Sequence, residues 1–251
     1  MLNSTLIDIF KTYEKADLKR FEDFIKSPYF NKKTNVVSLF NIIKKYFPDY
    51  KTENLKRETV WKALYPGKDF NYGVMKNLIH DLTKLAENYL QTQILESDSF
   101  KKQIPLLENL NHRAGKKLFA SKYKQLFDDV SSQNLFKWEN YVNLKELSML
   151  EYDFNFHNTS INKNEDLTYR ISEYQIYSSL IECFKNYNNM VVFTLRNNFS
   201  KEINIAETFL KNLNVEFILD EIRKQSEHDF MIMKTYYLMY LATRNTDEPA
   251  I

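Results

Sequence analysis

Apolar residues recur along this chain at spacings of three and four, the period of a helix with one buried face. Leu6, Ile9, Phe10 and Tyr13 form the first such group, with Ser4 placed to cap it. Asp17 is placed to cap a second helix, DLKRFEDFIK, whose stripe is Leu18, Phe21, Phe24 and Ile25. Ser27-Pro28 ends that helix, because a residue before proline avoids the helical region. NVVSLFNIIKKYF carries a third stripe up to Pro48, and a fourth helix runs from Leu55 to Tyr65 before Pro66-Gly67. The clearest pattern starts at Asn71. Val74, Met75, Leu78, Ile79, Leu82, Leu85, Ala86 and Tyr89 share an arc of about 140° at 100° per residue, and polar residues fill the remainder.

Longer segments follow Leu90. Asp98 caps a helix that contains Pro105 and stops near Gly115. Further segments cover 116–130, 133–157, 165–198, 200–212, 214–226 and 228–244. The polar run HNTSINKNED, His157 to Asp166, predicts a loop, and Asn186–Asn189 is a candidate break inside 165–198. No segment alternates with period two, so no strand is predicted. The expected fold is all-α: an N-terminal helical module over 1–97, then an irregular α-solenoid-like region over 98–251. The second region is tetratricopeptide-like in its antiparallel helix pairs, without the regular 34-residue register. The closing TRNTDEPAI carries a helix-start signature at Thr246 and Asp247. It follows a segment, Phe230–Ala242, that is apolar nearly all round, so the expectation is a fragment whose further helices cover that segment, the alternative being a helix central in the fold.

Composition strengthens the helical reading. The 251 residues include only 3 Gly and 5 Pro, which sheets and loop-rich sites use for turns. Phe (19) and Tyr (17) are abundant, pointing to helix contacts made by large rings or to an aromatic binding surface. The net charge is +2, split as 16 Lys/Arg against 11 Asp/Glu over residues 1–90 and 19 against 22 beyond. That tilt is milder than the clustered charge of a dedicated nucleic-acid domain. The N-terminus lacks a signal-peptide pattern, and no apolar run is long enough to span a bilayer. No membrane contact is expected, and the expected location is cytoplasmic.

The search for chemistry returns little. Neither GxxxxGK[ST] nor GxGxxG occurs, so the common phosphate-cradling loops are missing. Cys183 is the single cysteine, so an internal disulfide is excluded. It sits in a helical pattern that predicts an inert buried thiol. His80, His112, His157 and His228 do not pair with one another at i+3 or i+4, so a zinc site would require them to converge from separate helices. No catalytic, cofactor-binding or metal-ligating residue is therefore assigned. Ser27 in FIKSPYFNKK is a Ser-Pro position with Lys26, Lys32 and Lys33 nearby. It reads first as a turn, and second as a phosphorylation site facing those lysines.

RETVWKALYPG followed by NYGVMKNLIHDLTKLAENYL resembles the helix pair of winged-helix domains in bacterial transcriptional activators. The resemblance places a helix-turn-helix within 56–90 and packs Val60, Trp61, Leu64, Tyr65, Leu78, Leu82 and Leu85. It turns Lys76, Asn77, His80 and Lys84 toward DNA. The sequence departs from that pattern after Leu90, where QTQILESDSFKKQ offers no hairpin turn for a wing. Asp81 and Glu87 also flank the lysines with the wrong sign for phosphate. The first 90 residues, from FEDFIKSPYFNKK through YPGKDFNYGVMKNLIHDLTKL, are in addition similar to an uncharacterised family of all-helical bacterial proteins, which implies helices and no activity.

The leading expectation is a non-enzymatic scaffold that binds another protein or peptide through a helix-lined groove. The alternative is a DNA-binding regulator that uses Lys76, Asn77, His80 and Lys84.

Overall fold

The computed structural model describes residues 4–113, 115–132, 138–158, 164–197 and 205–247. Twelve α-helices and one 3-10 turn, and no strand, are found among them. The chain divides into two compact units, Met1–Lys102 and Gln103–Ile251. The division falls inside a helix, Ser99–His112, rather than at Asp98.

The first unit is built from α1 (Ser4–Lys11), α2 (Lys15–Lys26), α3 (Thr34–Lys44), a 3-10 turn (Thr52–Leu55), α4 (Arg57–Leu64) and α5 (Tyr72–Ser97). α1, α2 and α3 pack on α5, and α4 packs on α3. The stripes seen in the sequence become one core, with Leu6, Phe10, Phe21, Ile25, Leu39, Phe40, Met75 and Leu82 fully enclosed or nearly so. Phe21 is its hub. Its ring lies 5.0–6.4 Å from the rings of Phe10, Tyr13, Phe24, Phe40 and Tyr89, mostly edge-on, the arrangement aromatic quadrupoles favour.

Local details differ from the pattern-based reading. α2 starts three residues earlier than a cap at Asp17 implies, with Glu14 as its cap and Asp17 as the third helical residue. There its Oδ2 accepts the backbone N–H of Glu14 at 3.0 Å. The same carboxylate accepts from Gln93 Nε2 at 2.7 Å and from the Tyr89 hydroxyl at 3.4 Å, tying α2 to α5. These bonds, the Glu14 amide first, hold the Asp17 carboxyl below its usual range. Its contribution is therefore present above the unfolded value near pH 3.9 and is lost as pH falls through the lower folded value. Asp17→Ala is expected to lower stability by about 1 kcal/mol at neutral pH and by nothing in strong acid. Urea titrations at both pH values check this, and an equal loss at both would remove the carboxylate from the account.

Val74, expected in the buried arc of α5, is 45% exposed, like Tyr72 in the same first turn, and the buried arc begins at Met75. Thr83, expected on the wet face, is buried, and its hydroxyl donates to the Ile79 carbonyl at 2.8 Å. The cap expected of Ser4 falls on a side chain outside the described residues. Ser27 closes α2, its N–H donating to the Asp23 and Phe24 carbonyls.

The second unit contains most of α6 (Ser99–His112), then α7 (Lys116–Ser132), α8 (Glu139–Asn158), α9 (Glu165–Asn197), α10 (Ile205–Asn212), α11 (Val215–Gln225) and α12 (Glu227–Asp247). Side-chain pairs fix the helix directions. Phe119 stacks on Phe154 while Tyr123 bonds Glu151, so α7 and α8 are antiparallel. Arg170 meets Glu151 and Gln175 meets Lys145, so α8 and α9 are antiparallel too. Phe184 meets Tyr237 and Tyr187 meets Tyr240, which makes α9 and α12 run the same way. α12 reaches back to α8 as well, where the buried Tyr141 hydroxyl donates to Asp229 Oδ1 at 2.7 Å.

α9 is one continuous helix of 33 residues, so Asn186–Asn189 does not break it. Tyr187, inside that polar run, is buried against Tyr240, and this packing outweighs the weak helix preference of asparagine. The residues 159–163 of the expected loop lie outside the described ones. α12 continues through Asp247, so Thr246 and Asp247 end this helix rather than start another. Residues 248–251 lie outside the described region.

Candidate functional site

The α4–α5 segment carries the residues singled out by sequence. α4 ends at Leu64 with Tyr65 as its cap, and Gly67 takes a φ of +76°, a left-handed turn that glycine adopts without strain. Trp61 organises the loop. Its indole N–H donates to the Lys68 carbonyl at 3.0 Å, and its ring meets Tyr65 and Phe70. Asn71 then caps α5, its Oδ1 accepting the Val74 N–H at 3.0 Å. The connection spans residues 65–71, longer than the three or four residues of a helix-turn-helix turn. Residues 91–97 continue α5, and no wing strand follows among the described residues.

Lys76, Asn77, His80 and Lys84 all lie exposed on one face of α5. They span an arc of about 100° at 100° per residue. The structure brings the first three together and leaves Lys84 one turn away. Arg57, at the start of α4, joins them: Arg57, Tyr72, Lys76, Asn77, Ile79 and His80 line a pocket of about 390 Å³. The Arg57 guanidinium sits over the Tyr72 ring at 5.2 Å, a cation–π contact that fixes the fork. Its Nε is buried without a hydrogen-bond partner. Sequence reasoning missed Arg57 and Tyr72, which the stripe analysis had no reason to pair.

Asp81 does not act as sequence position suggests. Lys33, from the loop before α3, reaches its Oδ2 at 2.7 Å. The acid that would oppose an anion on this face is thus already paired.

A second cluster was also missed. Glu108, Asn111 and His112 of α6, with Leu150, Asp153 and His157 of α8, line a pocket of about 460 Å³. Two histidines therefore do share one pocket from separate helices. The available signal was a carboxylate four residues before each histidine, Glu108 before His112 and Asp153 before His157, which places each pair on one helix face. All four are exposed, and among the described residues no group of three or more His, Cys, Asp or Glu could hold a metal ion. Cys183 is half-buried, and burial, with the charge of Glu182, pushes its thiol pKa up, away from nucleophilic use. Among the described residues no helix is long and apolar enough to cross a membrane.

No protein-family model matches the chain, and neither does any curated protein or solved structure. Function is read from the residues alone.

Proposed function

We propose that this chain is a non-enzymatic, cytoplasmic helical scaffold that binds another protein or peptide along the second unit. The observation that carries this reading is α12. Phe230, Ile232, Met233 and Tyr240 are buried, yet Met231, Leu238 and Met239 on the other side are each 52% exposed. Their spacing of seven and eight residues keeps them on one face, an apolar stripe left to solvent by a helix already anchored in the core. Methionines suit such a stripe, since their flexible thioethers adapt to a partner's shape. The row α7, α8, α9, α12, α11, in which each helix packs chiefly on the next, supports a solenoid-like scaffold for such a surface. Capture of partners by the intact protein tests this, against a variant with Met231, Leu238 and Met239 changed to serine. A partner retained by the native protein and lost with a correctly folded variant is expected. Equal capture by both would end this reading of α12.

A second reading, a DNA-binding regulator, is favoured by the exposed Lys76, Asn77, His80 and Lys84 face and by the pairing of Asp81 with Lys33. The long α4–α5 connection weighs against it. Anisotropy titration of a DNA duplex at two salt concentrations discriminates, because phosphate contacts make affinity fall steeply with salt. Charge reversal at Lys76 and Lys84 should then abolish binding with stability nearly unchanged. Absence of salt-dependent binding removes the regulator.

A further inference from the structure

We infer that the pocket between α4 and the first turns of α5 is a binding site for the phosphoryl group of a small phosphate monoester. Three observations combine. Arg57, Lys76 and His80 converge on one pocket from two helices, and among the described residues no carboxylate lines it. Among the described residues, none of the three is paired with an acid. Among the described residues the pocket therefore gathers basic side chains with no acid between them, a potential that favours a bound anion.

The Arg57 fork is held in place. Tyr72 lies beneath the guanidinium, and the buried Nε lacks an acceptor, an unusual state for a buried donor. A phosphate oxygen would supply that acceptor, and a second oxygen would take a terminal guanidinium N–H in the bidentate geometry that arginine offers. Lys76 and His80, one turn apart on a straight helix, present a point charge and a ring N–H from the other side. The Asn77 amide supplies a neutral donor. A pocket of about 390 Å³ is within the size range of small-molecule sites and suits a sugar phosphate. A monoester brings up to two negative charges to three basic side chains, whereas a backbone diester brings one.

The site shares Lys76, Asn77 and His80 with the DNA reading but does not require it, and the probes separate the two. Calorimetric titration of the full chain with ribose 5-phosphate, inorganic phosphate, ribose, dimethyl phosphate and a DNA duplex is the experiment. Saturable binding of ribose 5-phosphate and inorganic phosphate is expected, with ribose and dimethyl phosphate silent. Lys76→Gln and His80→Gln, both on the exposed face of α5, should each weaken ribose 5-phosphate by roughly tenfold, the loss of one charge-assisted bond. Arg57→Lys, which keeps the charge and removes the fork, should weaken it comparably. All three variants should melt within a few degrees of the native protein. No saturable binding of either phosphate overturns the inference, as does binding that all three variants retain. Binding of the duplex alone overturns it too, in favour of the regulator.

Discussion

Replacing Phe21 with alanine is expected to destabilise the first unit by about 3–5 kcal/mol. The side chain is fully buried, and it contacts rings from α1, α2, α3 and α5 at once. Its removal leaves a cavity that no single helix can fill by shifting, because each is pinned to the others by the same rings. Edge-on contacts add about 0.5–1.5 kcal/mol per pair beyond area burial. Small domains hold only about 5–15 kcal/mol in total, so this one change should bring the unit close to unfolding at room temperature. Urea denaturation followed by Trp61 fluorescence, in a Trp138→Phe background, reads the first unit specifically. A loss below about 1 kcal/mol would mean the site collapses freely and the hub is not one.

Stability should also fall steeply in alkali. Burial is the main cause that pushes the hydroxyls of Tyr50 and Tyr177 up to about 12, and those of Tyr13, Tyr123 and Tyr141 higher still. For Tyr123 and Tyr141 the carboxylates of Glu151 and Asp229, which accept hydrogen bonds from the hydroxyls, add to the effect. In each case the folded state keeps its proton to a higher pH than the unfolded chain does. The stability is thus intact below the unfolded value near 10 and declines as pH rises toward the folded value. For Tyr50 and Tyr177 alone the loss approaches about 2–3 kcal/mol each by the top of that window. Melting temperature measured from about pH 8 to about pH 11.5 should be flat at first and then drop. A flat profile throughout would mean these hydroxyls are solvated.

Tyr50 offers an internal control. Its hydroxyl is buried without a hydrogen-bond partner. Tyr50→Phe should therefore cost nothing at neutral pH, or gain up to about 1 kcal/mol, and make the alkaline decline shallower.

Much of this fold was written in the spacing of apolar residues. The α5 stripe from Met75 to Tyr89, the stops at Pro28 and Pro66-Gly67 and the Asp98 cap all follow from local rules, and local rules act within a few residues. What escaped depends on distant partners. Thr83 is buried because α5 is covered more widely than an arc of aliphatic residues implies. The asparagines of α9 stay helical because Tyr240, more than fifty residues away, packs on Tyr187. The same limit applied to function. Lys76, Asn77 and His80 were visible as one face of one helix, but Arg57 joins them only through the turn that Trp61 shapes. Glu108, His112, Asp153 and His157 lie on two helices whose pairing no local pattern announces.

The bond from Tyr141 to Asp229 spans 88 residues, and α12 runs alongside α9 only after α10 and α11 have carried the chain back. During synthesis the rings of Tyr177, Phe184 and Tyr187 must therefore wait for α12. At roughly 5–20 residues per second that delay is several seconds, during which these rings lack the cover that α12 gives them. A chain stalled before Glu227 would keep those rings without the partners that α12 supplies.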